Sequence, residues 1–319
     1  MGDKTGIEWT DHTFNPWWGC AAVSPACKHC YAETLAARFG VEWGIKAERK
    51  PASEKYWRKP VAWNAAAEKA GQRARVFCAS MADVFEDRRD LDPYRARLFA
   101  LIEATPWLDW QFLTKRPEAV MRLVPERWRD GFPRHVWMGT TVEDARREAE
   151  RVEHLRAIPA AVRFLSCEPL LGDLAIDPWL RCPYCAYTQL DERNRGDHHV
   201  CVARSPAAAI PSFIGWVIAG GESGPGARPM HPAWARSLRD QCAMAGVPFF
   251  FKQWGEWAPR DPAMDDDQPR LRLTDAGEDG SSLDSKGSND VWMQRVGKKA
   301  AGALLDGVEH KAFPAAGLK

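Results

Sequence analysis

No stretch of the 319-residue sequence approaches the roughly 20 consecutive apolar residues that a membrane-spanning helix needs. The first residues, MGDKTGIEWTDHTF, also lack the apolar core of a signal peptide. A surplus of either charge is missing too, because 44 Lys and Arg stand against 43 Asp and Glu, a net charge of +1. We therefore expect a cytoplasmic protein without membrane contact, whose overall charge does not attract nucleic acid, although a local basic patch is compatible with this balance.

Cysteine and tryptophan are not scarce, with nine and sixteen copies. Because the cytosol keeps thiols reduced, cysteines there are better explained as metal ligands or core residues than as disulfides. Cys78 and Cys242 lie in apolar segments and are expected in the core, while Cys167 ends a predicted strand beside Glu168. Most of the tryptophans are expected to pack irregular loops, and the alternative is a stacking surface for a nucleobase.

Short apolar runs alternate with amphipathic segments along the chain. The predicted strands are 75–80, 110–114, 135–140, 162–166, 216–220 and 248–252, preceded by an extended segment at 12–18. Helical spacing of apolar residues occurs at 91–105, 142–158 and 231–246. Repeated strand–helix alternation indicates parallel strands joined by crossover helices. We predict an α/β fold, an incomplete (β/α) barrel of six to seven parallel strands, because a complete barrel has eight.

Two segments interrupt this alternation. Residues 175–213 form a Cys/His-rich insert, and residues 258–294 are rich in Asp, Gly, Ser and Pro without periodicity. We therefore predict a partial barrel over 1–257 that carries the insert, followed by a loop-rich C-terminal segment, 258–319, with a terminal helix.

The strongest motif is GCAAVSPACKHCYAE at 19–33, in which Cys20, Cys27 and Cys30 have the spacing Cys-x6-Cys-x2-Cys. Three thiolates from one loop can bind three corners of a [4Fe–4S] cube and leave the fourth iron open to another ligand. S-adenosylmethionine is bound and reductively split into a radical at such an open iron. Zinc is the competing metal, but a structural zinc takes four protein ligands, and His29 lies unfavourably between two of the cysteines.

A second cysteine cluster lies in the insert, in CPYCAYTQLDERNRGDHHVC at 182–201. Its spacing is typical of a zinc knuckle with the ligands Cys182, Cys185, His198 and Cys201, where the adjacent His199 is the alternative to His198. The polar residues between these ligands provide no core, so a metal would order them. A second iron–sulfur cluster and a loop of spare cysteines remain alternatives.

Polar residues follow the C-terminal end of almost every predicted strand, which is where parallel β/α folds build their sites. Lys115, Glu168 and Lys252 are the candidate catalytic residues. The two lysines, together with Arg116, suit an anionic substrate, and Asp83 is a further carboxylate at this edge.

The turn after the strand at 216–220 reads GGESGPG. Glycines there let backbone N–H groups approach a ligand closely, and Glu222 suits a ribose or an amino group. The turn lacks the fingerprint G-x-G-x-x-G, so NAD is not predicted. The candidate cofactor-binding residues are Ser166, Gly220, Gly221, Glu222 and Ser223.

Five motifs carry a family resemblance: TDHTFNPWWGCAAVSPACKHCYAE, FLTKRPE, RFLSCEPLLGDL, WVIAGGESGPGARPMHP and FFFKQWGEW. Together they resemble a widespread phage and bacterial family of unknown function with a three-cysteine signature. The resemblance spans nearly the whole chain outside 175–213 and the loop near 258–294. It implies a separate "three-Cys-motif partner" protein, because the genes of the two often occur together.

The cysteine motif is also similar to that of radical S-adenosylmethionine enzymes, including the spore photoproduct lyase branch. Those enzymes use Cys-x3-Cys-x2-Cys, so the second half of the motif, Cys27 to Cys30, matches, while the first gap is longer here. The similarity implies a radical-S-adenosylmethionine-like barrel.

Two hypotheses follow from these patterns. The first is an iron–sulfur enzyme that binds S-adenosylmethionine and acts on a nucleic acid or nucleotide, a substrate class suggested by the phage resemblance. The second is a non-enzymatic module in which both cysteine sets hold zinc and the tryptophan-rich face binds nucleic acid or a protein.

Overall fold

The computed structural model describes residues 5–180, 214–260, 270–274 and 290–314. In these residues the strands are β1 His12–Thr13, β2 Trp17–Trp18, β3 Lys50–Pro51, β4 Ala74–Cys78, β5 Leu108–Thr114, β6 Val136–Thr141, β7 Val162–Cys167, β8 Trp216–Gly220, β9 Phe249–Gln253, β10 Trp257–Pro259, β11 Arg270–Leu273, β12 Val291–Arg295, β13 Leu304–Leu305 and β14 Val308–Glu309. The α-helices are α1 Tyr31–Arg38, α2 Glu54–Trp57, α3 Lys59–Ala70, α4 Asp92–Glu103, α5 Pro117–Leu123, α6 Ala145–Ala157, α7 Pro232–Ala245 and α8 Lys298–Ala301.

The centre of the fold is a seven-stranded sheet with the order β1-β4-β5-β6-β7-β8-β9. Every neighbouring pair in it is parallel. The sheet curls into a half-barrel with helices on its outer face, so the predicted incomplete (β/α) barrel is confirmed. The predicted segment at 12–18 is divided: β1 joins the sheet, and β2 pairs instead with β3. Pro16 lies between them and has no N–H group to continue a strand ladder.

Alternate side chains of each strand point into the half-barrel, as the two-residue period of a strand requires. Its lower interior holds an aromatic cluster whose largest members are Trp9, Trp137, Phe164 and Trp216. Gly139 leaves room for this cluster, because a Cβ atom there would lie 2.4 Å from the ring of Phe164. The other face of the sheet packs against the helices and forms the larger core.

Short local signals fix the ends of the crossover helices. The side chain of Asp144 accepts a hydrogen bond from the N–H of Arg147 and so caps the start of α6. At its C-terminal end, α7 stops at Gly246, whose φ of 67° is left-handed and favours glycine. These helices match the predicted segments 142–158 and 231–246 closely.

The C-terminal residues close the open side of the half-barrel. The carbonyl of His310 accepts a hydrogen bond from the N–H of Phe251 on the edge strand β9, at 2.8 Å. Phe313 packs on Trp216 inside the barrel, and the guanidinium of Arg75 on β4 lies 4.0 Å from the centre of its ring. The chain end thus connects β9 to the opposite side of the sheet. A separate three-stranded sheet has the order β10-β12-β11.

The predicted zinc ligands Cys182, Cys185, His198 and Cys201 lie outside the described residues. Trp179 precedes this gap and Ile214 follows it, and the N–H of Ile214 donates to the carbonyl of Trp179 at 3.0 Å, before the N-terminal end of β8. The gap therefore begins and ends near the lower end of the barrel. None of the helices in the described ranges is long and apolar enough to cross a membrane.

Candidate functional site

A cavity of about 400 Å³ lies at the C-terminal ends of the parallel strands. Trp9, Phe77 and Leu113 give it an apolar floor, continuous with the aromatic cluster below. Its polar lining comes from the loops that follow the strands, in the position where β/α barrels place their sites. The polar lining residues are Cys20, Cys27, His29, Cys30, Tyr31, Ser80, Asp83, Thr114, Lys115, Arg116, Thr141, Ser166, Glu168, Glu222, Ser223, Lys252, Gln253 and Lys298.

The three cysteines of the predicted cluster motif therefore line one cavity, and each is partly exposed. Cys27 ends a short 3-10 helix, Pro25–Cys27, and Cys30 directly precedes α1. Within the described ranges, no three His, Cys, Asp or Glu side chains converge closely enough to hold a single metal ion. The thiolates of a cube bind separate irons, so they do not need to meet at one point. Three thiols that line one side of a cavity are suitable ligands for such a cluster.

The loop that carries the cysteines lines the cavity and accepts hydrogen bonds from arginines that are themselves held in ion pairs. Arg116, at the end of β5, forms a pair with Asp83 at 2.8 Å, and both side chains are nearly buried. The Nη2 of Arg116 donates to the carbonyl of Ala21 at 2.8 Å, and its Nη1 lies 3.8 Å from the Sγ of Cys20. One guanidinium therefore fixes both the backbone and the first thiol of the motif.

The charge state of Cys20 depends on the same neighbours. Burial raises the pKa of its thiol to about 12, and the carboxylate of Asp83 acts in the same direction. The adjacent Arg116 opposes this rise because it stabilises the thiolate. Without a metal the thiol is protonated at neutral pH, so a metal that binds this sulfur would release a proton.

A single peptide group in the loop is held from both sides. Its N–H, that of Ala26, donates to Oε1 of Glu143 at 3.3 Å, and Glu143 is fully buried and paired with Arg151 at 2.8 Å. Its carbonyl, that of Pro25, accepts from Nη2 of Arg228 at 3.0 Å. We call Glu143, Arg151, Glu222 and Arg228 the peptide clamp, because Glu222 pairs with Arg228 at 2.6 Å. The clamp holds the turn that ends at Cys27.

The Gly-rich turn after β8 packs against the cysteine loop and the segment after β9. A Cβ on Gly226 would lie 2.8 Å from the ring of His29, so this glycine makes room for the histidine between the cysteines. A Cβ on Gly221 would lie 1.9 Å from the carbonyl oxygen of Trp254, so only glycine permits this approach. The hydroxyl of Ser223 accepts from Nε2 of Gln253 at 2.7 Å.

Glu168 and Lys252 form an ion pair inside the cavity, with 2.9 Å between Oε1 and Nζ. The hydroxyl of Ser166 donates to the other oxygen of Glu168 at 3.4 Å. Gly220, at the end of β8, leaves space for this carboxylate, because a Cβ there would lie 2.9 Å from Oε1. The three side chains and the glycine thus build one polar subsite at the ends of β7, β8 and β9.

Lys115 differs from its two cationic neighbours in the cavity. Its N–H donates to Asp83 at 3.2 Å, but its ammonium group has no carboxylate partner among the described residues. Arg116 and Lys252, in contrast, are each paired. Lys115 is therefore a cation of this cavity that is available to an anionic ligand.

The structure places almost all of the predicted site residues in the described ranges around this cavity. Gly220 supports Glu168 rather than lining the cavity itself. The buried thiols of Cys167 and Cys242 lie in the core. Sequence reasoning missed Arg151 and Arg228, because an arginine that will be buried in an ion pair has no local pattern that distinguishes it from a surface arginine.

Comparisons with known proteins give one match. A family model described as "Protein of unknown function (DUF5131)" matches residues 4–314, nearly the whole chain. No curated protein matches the sequence. No solved structure matches the fold.

Proposed function

The chain belongs to the family of proteins of unknown function DUF5131, and from this premise we propose that it is an iron–sulfur enzyme. Cys20, Cys27 and Cys30 would hold a [4Fe–4S] cluster, and the cavity beside them would bind S-adenosylmethionine. The observation that carries the proposal is that three partly exposed thiols line one cavity at the C-terminal end of a partial (β/α) barrel.

The surroundings of the thiols support a cluster with an open iron. Three sulfur ligands would leave one corner of a cube without a protein ligand, and the chemistry that a bound cluster would supply there is the reductive cleavage of S-adenosylmethionine to a radical. Arg116 stabilises the thiolate of Cys20 because its guanidinium lies beside the sulfur. The peptide clamp fixes the turn before Cys27 through two charged hydrogen bonds.

The rest of the cavity has groups suited to an amino-acid and nucleoside ligand. Glu168 offers a carboxylate to an ammonium group, and Lys252 beside it offers a cation to a carboxylate. The hydroxyls of Ser166 and Ser223 can hold polar edges of the same ligand. Glu222 stays a predicted cofactor residue, although both of its oxygens already accept hydrogen bonds from Arg228.

We propose a nucleic acid or nucleotide as the substrate. The unpaired ammonium of Lys115 supports an anionic substrate, and the exposed ring of Tyr31 at the same cavity supports a ligand that stacks. A three-Cys-motif partner protein remains a further prediction of the resemblance.

The proposal is tested by anaerobic reconstitution of the full chain with iron and sulfide. We expect a brown protein with broad absorbance near ~400 nm, the signature of a cluster. After reduction with dithionite, added S-adenosylmethionine should give 5′-deoxyadenosine. A reconstituted brown protein that forms no 5′-deoxyadenosine would remove the radical step and leave the cluster. A colourless protein with stoichiometric zinc would favour the alternative, a non-enzymatic binding module.

A further inference from the structure

A second concave surface lies outside the cavity, between the start of α4 and the end of α5. This groove has a volume of about 660 Å³. Five arginines line it, against two aspartates. We call it the arginine groove, and its charged lining residues are Asp87, Arg88, Arg89, Asp92, Arg95, Arg122 and Arg127.

The arginine groove and the cavity share two loops. The loop after β4 brings Ser80 and Asp83 to the cavity and Arg88 and Arg89, a few residues later, to the groove. In the same way, Lys115 follows β5 into the cavity, and α5 then carries the chain to the groove. A chain molecule lying in the groove can therefore reach the cavity along these loops.

Three of the five arginines of the groove are exposed enough to bind a ligand, whereas the other two donate to backbone carbonyls of the protein itself. Arg122 pairs with Asp87, and the two side chains are 58% and 65% exposed. Arg127 is 59% exposed in its pair with Glu103. Ion pairs this exposed to solvent contribute little to stability, so a phosphate can replace the carboxylate. Arg89 is exposed and has no ion-pair partner within the described ranges.

Aromatic rings also line the cavity. The hydroxyl of Tyr31 donates to the carbonyl of Ser80 at 3.1 Å, which fixes a ring that is 54% exposed. Trp43 lines the cavity too, and the residues after it are tied to the groove, because Arg88 donates to the carbonyls of Ile45 and Ala47 at 3.3 and 2.9 Å. Arginines followed by exposed rings are the usual elements of a single-strand binding surface.

We propose that the arginine groove binds the phosphodiester backbone of a single-stranded nucleic acid and that one of its bases stacks on Tyr31 at the cavity. The planar guanidinium suits phosphate oxygens, and the exposed ring suits an unstacked base. An acidic peptide would satisfy the arginines but would leave the ring without a flat partner. The inference rests on the proposed function only for its substrate class, since the groove itself contains no metal ligand.

The test measures binding of labelled 12-nucleotide single strands to the full chain, without added iron, by fluorescence anisotropy over a range of salt concentrations. The groove variant combines Arg89→Gln, Arg122→Gln and Arg127→Gln. A matched control combines Arg73→Gln, Arg146→Gln and Arg236→Gln, three arginines on other surfaces that are also in partly exposed pairs. A third variant, Tyr31→Ala, tests the stacked base.

The wild type should bind with a dissociation constant on the order of 1 to 100 µM at physiological salt. The groove variant should lose about tenfold or more in affinity. The slope of log K against log salt should become shallower by about 2, because each of the three lost phosphate contacts accounts for about 0.7 of the slope. Tyr31→Ala should weaken binding about tenfold without changing the slope. The control should bind like the wild type.

Three results would overturn the inference: equal losses in the groove and control variants, tighter binding of poly-glutamate or duplex than of single strands, or no binding by the wild type. Iron content is measured in the same preparations after reconstitution. A brown protein that binds no nucleic acid would reject the groove proposal and keep the cluster proposal. A protein that binds nucleic acid but takes up no iron would reject the cluster proposal and keep the groove proposal.

Discussion

The lower interior of the half-barrel is filled by aromatic rings. The upper interior, two residues further along each strand, carries charged and hydroxyl groups. On β7, Phe164 lies in the aromatic cluster and is followed by Ser166 at the cavity. On β9, Phe250 below is followed by Lys252 above. The same strands thus provide apolar burial at one end and paired charges at the other. This difference predicts that substitutions in the aromatic cluster reduce stability, whereas substitutions at the cavity reduce function.

The largest expected effect on stability is at Trp216, which is fully buried in the aromatic cluster. Trp216→Ala should lower the free energy of unfolding by about 3 to 5 kcal/mol, because it leaves a cavity in a packed interior. Urea denaturation followed by circular dichroism measures this loss. Trp292→Ala, at a tryptophan that is 36% exposed, is the matched control and should cost much less. Equal losses at the two positions would break the comparison.

A substitution in the peptide clamp should reduce both stability and function, because Glu143 is buried and also contacts the turn that ends at Cys27. Glu143→Gln removes the charge opposite Arg151 and should cost about 2 to 3 kcal/mol. It should also loosen the turn before Cys27, so that iodoacetamide modifies Cys27 faster than in the wild type, as followed by peptide mass spectrometry. Glu150→Gln, at an exposed pair on α6, should change neither quantity. A stability loss with unchanged Cys27 reactivity would make Glu143 a purely structural residue.

At the upper end, Lys252→Met should separate function from stability. The pair with Glu168 is partly solvated, with the two side chains 24% and 13% exposed, so the free energy of unfolding should fall by about 1 kcal/mol or less. Formation of 5′-deoxyadenosine should fall about a hundredfold or more, since the lysine would position the ligand. Lys252→Arg keeps the charge and should retain part of the activity. Full activity in Lys252→Met would exclude a role for this cation.

The smallest effect concerns the C-terminal residues that close the barrel. Arg236 and Arg239 lower the pKa of Asp306 to about 2, below the value of about 3.9 in an unfolded chain. A lowered pKa stabilises the fold above about pH 4, and this contribution is lost as the pH falls through about 2. Asp306→Asn should therefore have a slightly lower melting temperature than the wild type at pH 6, and the difference should shrink as the pH falls below about 4 and vanish below about pH 2. A difference that is constant with pH would exclude the charge as its cause.

Much of this architecture is visible in the sequence because it repeats locally. Apolar runs such as 216–220 predicted their strands, and the residues directly after them, such as Lys115 and Glu168, were expected at one edge because parallel strands end together. The contacts between distant loops were not predictable. The hydrogen bond from Arg228 to Pro25 joins residues about 200 positions apart, and no periodicity marks either partner.

The division of β1 from β2 shows a second limit. The run at 12–18 was expected as one extended segment, but it bends at Pro16 and its pairing partners differ on the two sides of this residue. Which strand a segment joins depends on tertiary contacts, here with β4 and β3, rather than on its own composition.

The central claim is tested most directly by counting iron and sulfide in the reconstituted full chain, beside Cys27→Ala and the control Cys242→Ala. Cys242 is a buried core thiol on α7. The account predicts about four iron and about four sulfide ions for each chain in the wild type and in Cys242→Ala, and a loss of most of both in Cys27→Ala. Wild-type protein that takes up no iron, or Cys27→Ala that holds as much as the wild type, would contradict it.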